Sequence, residues 1–131
     1  MHFLREFKIL GIEEFLQEQE KFIKRQQPND RKAIFKNLEK WRTDPCYPSL
    51  NTQKMQKIQE KDGLSVWECR MTKKIRMRFI VHMEKQVMFP EELDLHDDRD
   101  STIERLLERA ANKWVGKIKE CMQKGMMSLF F

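Results

Sequence analysis

The chain has 131 residues, 40% hydrophobic and 36% charged, with a formal net charge of +5. That length and balance fit one globular domain with a sizeable core and exclude a wholly disordered chain. No apolar run approaches the roughly 18 residues of a membrane span.

The start, MHFLREF, places charges where a signal peptide needs its apolar stretch, so no secretion is expected. Cys46, Cys69 and Cys121 are odd in number and lack CxxC spacing. They read as reduced thiols of a cytoplasmic protein. Residues 2–10 alternate loosely, with Phe3, Arg5, Phe7 and Ile9 on one side, and predict a first strand that Gly11 ends. Residues 12–25 place Ile12, Phe15, Leu16, Gln19, Phe22 and Ile23 at helical spacing. After the turn QQPND, with Asn29 or Asp30 as the expected cap, Ile34, Phe35, Leu38 and Trp41 mark a second helix over about 30–43. The two form a helical hairpin.

Prolines make residues 43–49 a loop, and residues 49–60 read either as loop or as a lead into a short strand. Residues 65–71 and 75–82 alternate cleanly and predict a β-hairpin about a basic turn at 72–74. That loop sets Met71 opposite Ile75, Arg70 opposite Arg76, Cys69 opposite Met77, Glu68 opposite Arg78 and Trp67 opposite Phe79. A slip of one residue would mix the faces. One face is apolar, and the other presents Arg70, Arg76 and Arg78. A further strand follows over about 87–95, where Pro90 demands a bulge or an edge position.

Residues 99–124 then repeat apolar side chains with helical period from Ile103 to Met122, and Gly125 ends the run. The expected fold is α+β: a small twisted antiparallel β-sheet with helices packed on one face, an N-terminal helical hairpin and a long C-terminal helix. Residues 1–98 are expected to form its core, with 99–131 part of the same domain. The apolar stripe of the last helix reads as core or as a contact for a partner. Its cations Arg105, Arg109, Lys113 and Lys117 step by four along one line.

The charge is uneven. Residues 54–78 hold eight basic residues against three acidic ones, so this window accounts for the whole net charge of +5. A localised positive field suggests a polyanionic partner; a solvated basic face is the plainer alternative.

Pro48-Ser49-Leu50 with Lys54, Gly63-Leu64 with Trp67, Glu68, Arg70 and Thr72, then Arg76 and Phe79, then Leu93-Asp94-Leu95-His96-Asp97-Asp98 follow one another along the chain. In this order and spacing the chain resembles the RelE/ParE superfamily of bacterial toxins. The resemblance implies one of two activities: a ribonuclease branch cuts messenger RNA, usually on the ribosome, and a ParE branch inhibits DNA gyrase. Both imply a cognate antitoxin as partner. In the ribonuclease branch a tyrosine often stands near the C-terminal end, whereas the one tyrosine here, Tyr47, precedes the sheet.

RNA can be cut without a metal ion or cofactor by attack of its own 2′-hydroxyl on phosphorus, which needs a base, an acid and cations on the phosphorane. Arg76 matches the family arginine that opens the second hairpin strand. Arg70 opposite it is either a second clamp on the phosphate or a solvent-facing residue. Arg78 is expected to pair with Glu68, or to contact RNA; Glu68 is otherwise a candidate base. Lys54 is a candidate for proton transfer, and Lys57, Lys73 and Lys74 are candidate RNA contacts. His96 is the leading acid–base candidate, since histidine titrates near neutrality; it otherwise belongs to the cap of the last helix. No metal site is expected. A ParE-like binding module and a general nucleic-acid binder remain open beside the ribonuclease.

Overall fold

The computed structural model describes residues 4–95 and 100–123. Its elements are β1 (Lys8–Ile9), α1 (Ile12–Glu18), α2 (Glu20–Lys24), α3 (Pro28–Thr43), a 3-10 turn at Pro48–Leu50, β2 (Gln53–Lys54), β3 (Leu64–Arg70), β4 (Ile75–His82), β5 (Val87–Leu95) and α4 (Asp100–Gln123). The strands form one sheet in the order β1-β5-β4-β3-β2. Neighbours are antiparallel except β1 and β5, which run parallel. The fold is α+β, with a mostly antiparallel sheet.

The β3–β4 register is the one that alternation demands, from Trp67 opposite Phe79 to Arg70 opposite Arg76. The β4–β5 pairing is less regular. It slips between Arg78 and Phe79, so Phe79 faces Pro90 and Arg78 faces Glu92, leaving Glu91 with no opposite residue. Pro90 is tolerated for a local reason. Gln86 and Met88 turn their carbonyls to β1, accepting from Lys8 and Leu10 at 2.9 Å. Pro90, two residues on, faces the same edge, beyond the Val87–Met88 pairing that β1 makes.

Several helix and strand limits differ from the sequence expectation. The first strand shrinks to Lys8–Ile9, because the chain turns before it: the Phe7 N–H donates to the Leu4 carbonyl at 3.2 Å, and Leu4 is buried. The 12–25 helix breaks at Gln19, whose φ is −95° and ψ 3°. Gln19 stands in the apolar stripe, and its Oε1 accepts the Leu93 N–H of β5 at 3.2 Å. α3 begins at Pro28 without a side-chain cap. A proline at the first helical position has its φ preset and lacks the N–H that a cap would satisfy.

Helices cover both faces of the sheet, which corrects the expectation of one. On the first face α1–α3 bury Phe15, Ile34, Leu38 and Trp41 against Cys69, Met77, Phe79 and Val81. The Trp41 ring meets Phe79 edge-on at 5.1 Å. On the second, α4 lays Leu107, Ala110, Trp114 and Ile118 on Leu64, Val66, Ile80, Val87 and Phe89. Val66 and Ile80 share a face with the arginines, so half of that face is apolar and needs a cover.

Trp114 anchors α4. Its ring lies 4.3 Å from that of Phe89. Gly11, with φ at 75°, sits under it, and any side chain there would overlap the indole. Lys113 and Lys117 pair with Glu18 and Glu14 of α1 at 2.6 and 2.8 Å. Lys113 and Lys117 of the cation row thus tie α4 to α1.

Candidate arginine–carboxylate site

The polar half of the second face is built from cross-strand rows. One row carries Gln53, Glu68, Arg78 and Glu92, taken from β2, β3, β4 and β5 in turn. The next carries Arg70, Arg76 and Asp94. Residues opposite each other in antiparallel strands share a face, with Cβ atoms about 5 Å apart. The face therefore sets three arginines among three carboxylates. The field read from residues 54–78 alone is balanced here by Glu92 and Asp94 of β5.

The arginines differ sharply. Arg78 is buried to 1% side-chain exposure, with Asp94 at 3.1 Å, Glu68 at 3.4 Å and Glu92 at 3.9 Å. This placement agrees with a structural pair to Glu68 and leaves its guanidinium no open side for RNA. Burial pushes the Glu92 carboxyl up, and Arg78 opposes that shift.

Arg76 is fixed by its own turn. Its Nη1 donates to the Thr72 carbonyl at 3.0 Å and to the Lys73 carbonyl at 3.5 Å. Thr72 in turn accepts the Lys74 and Ile75 N–H groups through its Oγ1. The Nε of Arg76 stands 4.0 Å from Glu68. Arg70 is exposed and makes no hydrogen bond or ion pair among the described residues.

These groups line a hollow of about 160 Å³ formed by Asn51, Gln53, Glu68, Cys69, Arg70 and Arg76. It holds one preset guanidinium, one free guanidinium and a buried carboxylate. Such a set can seat one phosphodiester, since a guanidinium presents its donors in a fork that fits two phosphate oxygens. Cys69 offers no nucleophile: full burial pushes its thiol far above the usual range.

No family model matches this sequence, and no curated protein matches it. Among solved structures, the chain is similar to one from the archaeal RelE–RelB complex of Pyrococcus horikoshii OT3. The match has a TM-score of 0.47 and 11% identity, covering 70% of this chain and 94% of that one.

The other expected site residues scatter. Lys54 lies opposite Trp67, so it shares the helical face rather than the arginine face, and its Nζ pairs with Glu60 at 2.7 Å. Lys57 is exposed in the loop after β2, near Leu107 and Glu108 of α4 and remote from the arginines. Lys73 and Lys74 are exposed on the β3–β4 turn, beside Arg76. His96, with Asp97 and Asp98, lies outside the described residues. His82 is buried against Gly63, accepts the Lys85 N–H at 3.2 Å, and is pushed down chiefly by that burial.

Sequence reasoning missed Asn51, Gln53, Glu92 and Asp94. The two amides stand in a segment too short and polar to show a strand period. The two carboxylates needed the bulge to be placed, and Pro90 was the only signal for it.

Proposed function

We propose that this chain is a toxin-type endoribonuclease that cuts single-stranded RNA through the RNA's own 2′-hydroxyl, without a metal ion. The observation that carries the reading is the hollow in which Arg76 and Arg70 face each other across β3 and β4 beside Glu68. Arg76 and Arg70 hold the two non-bridging oxygens and stabilise the phosphorane charge. Glu68 takes the proton of the 2′-hydroxyl as that oxygen bonds to phosphorus. The bond from phosphorus to the 5′-oxygen breaks, leaving a 2′,3′-cyclic phosphate, and the leaving oxygen needs a proton. We assign that proton to His96, two residues beyond Asp94 in the chain. Lys73 and Lys74 guide the backbone toward the hollow. Lys54 has no role in this scheme.

The resemblance in motif order supports the toxin reading, and a cognate antitoxin in the same cytoplasm is the partner it requires. The balance of the arginines by Glu68, Glu92 and Asp94 favours a second reading, a ParE-like module that binds gyrase or another protein and cuts nothing. Expression of wild type and Arg76→Ala in bacteria, with primer extension on messenger RNA, separates them. The ribonuclease reading expects new RNA ends with the wild type and none with the variant. Growth arrest without new ends rejects it.

A further inference from the structure

The arginine hollow has a second side that phosphate binding does not use. Asn51, at the end of the 3-10 turn, and Gln53, on the edge strand β2, form its rim. Both side chains are exposed, and neither makes a hydrogen bond among the described residues. Yet the backbone that carries them is fixed. Asn51 closes the 3-10 turn in the left-handed region, with φ 49° and ψ 44°, and its N–H donates to the Pro48 carbonyl at 3.2 Å. Thr52, between the two amides, bonds the Pro45 carbonyl through its hydroxyl. Gln53 is paired with Glu68 and so points to the arginine side. One neutral amide is thus presented from the edge strand, two strand spacings from β4 and Arg76, and the other from the hydrogen-bonded turn before it.

We infer that Gln53 and Asn51 read the base beside the phosphate held by Arg70 and Arg76, and that they select adenine. The inference rests on the RNA-cleaving reading of this site. A carboxamide carries no charge for a phosphate, but it sets a donor beside an acceptor in one plane. That pattern matches N7 and the N6 amino group of adenine, an edge that an unpaired RNA base leaves open. Guanine shows two acceptors on the same edge and suits arginine, and the arginines here face the phosphate. A purine's edge also lies farther from its sugar than a pyrimidine's, which lets it reach from the arginines to β2.

The test uses uncleavable 2′-fluoro RNA heptamers of uridine, with the central base left as uridine or changed to adenine, guanine or cytosine. Binding is followed by fluorescence anisotropy with wild type, Gln53→Ala, Asn51→Ala, Gln53→Glu and Arg76→Ala. The wild type is expected to favour central adenine by roughly 5- to 150-fold, the range of one bidentate contact. Gln53→Ala removes that preference while binding of the all-uridine heptamer stays within about twofold, because no phosphate contact is lost. Gln53→Glu weakens the preference, because a carboxylate accepts from N6 but has no donor for N7. Equal affinity for all four heptamers, or an adenine preference that survives both alanine variants, overturns the inference and leaves the RNA-cleaving reading standing. If the wild type binds no heptamer, or Arg76→Ala binds as well as wild type, that reading fails and the inference with it. Thermal unfolding of the two exposed-edge variants should match wild type, so a lost preference is not a folding defect.

Discussion

At the scale of the residue, three arginines that look alike in the sequence occupy three environments. Arg78 is sealed among Glu68, Glu92 and Asp94, Arg76 is clasped by its own turn, and Arg70 is free. The hairpin register, and with it the Arg78–Glu68 pairing, was legible because alternation allows no slip. Two of the three carboxylates were not. Without the bulge, Glu92 would stand opposite Met77 on the helical face and Leu93 would face Arg76. The extra residue at Glu91 reverses both, sending Leu93 into the core and Glu92 to Arg78. This separates stability from binding. Removing one partner from a buried ion cluster costs about 3–5 kcal/mol, because the remaining charges are left uncompensated. Arg78→Ala should therefore lower the free energy of urea unfolding by that amount. Arg70→Ala should leave it within about 0.5 kcal/mol. A loss below about 1 kcal/mol in Arg78→Ala would mean that the cluster does not hold the sheet.

At the scale of the element, α4 shows where reading from sequence stops. Its apolar stripe was plain, but its target was not, since Val66 and Ile80 stand on the face that carries the arginines. Nor did the sequence tell that Lys113 and Lys117 would meet α1, or that Gly11 is small because Trp114 lies on it. Under this helix sits Glu91, the bulge residue, 2% exposed, accepting the Trp114 indole N–H at 3.0 Å with Arg109 at 3.5 Å. Burial raises its carboxyl above the ordinary 4.5, against Trp114, Lys113 and Arg109, which lower it; Glu18 of α1 adds to the rise. Glu92 is raised by the same cause. A carboxyl that holds its proton more tightly in the folded state stabilises the fold as pH falls through the raised value. That stability is lost as pH rises through it. Glu14, held low by Lys117, acts in the opposite sense and only below its ordinary 4.5. Glu91→Gln keeps an acceptor for the indole and removes the charge. Its melting temperature should exceed wild type at about pH 7, and its decline as pH rises above 4.5 should be shallower. A variant that melts at or below wild type at neutral pH would show that the Arg109 pair outweighs the cost of burial.

At the scale of the whole molecule, the net charge of +5 is a poor guide to how many phosphates the protein can hold. The sum over residues 54–78 counts Arg78, which is buried among carboxylates, and Lys54, which pairs with Glu60. It also counts Lys57, which lines a hollow with Lys61, and Lys61 pairs with Leu64 at the start of β3. That end lies six residues, or about 20 Å, from Arg70, well beyond the roughly 8–10 Å over which charges act at physiological salt. The cations gathered at the hollow are Arg70, Arg76, Lys73 and Lys74. Binding to single strands loses affinity with salt at a logarithmic slope of about −0.7 per phosphate neutralised. Arg70 and Arg76 share one phosphate, so these four cations neutralise three and give a slope of about −2, whereas eight separate contacts from the window would give nearly −6. Anisotropy titrations of a uridine heptamer across a salt series measure the slope directly. Lys73→Ala should make it shallower by about 0.7, and Lys57→Ala should leave it unchanged. A slope near −6, or one that responds to Lys57 and not to Lys73, would place the RNA on the loop beside α4 instead of in the hollow.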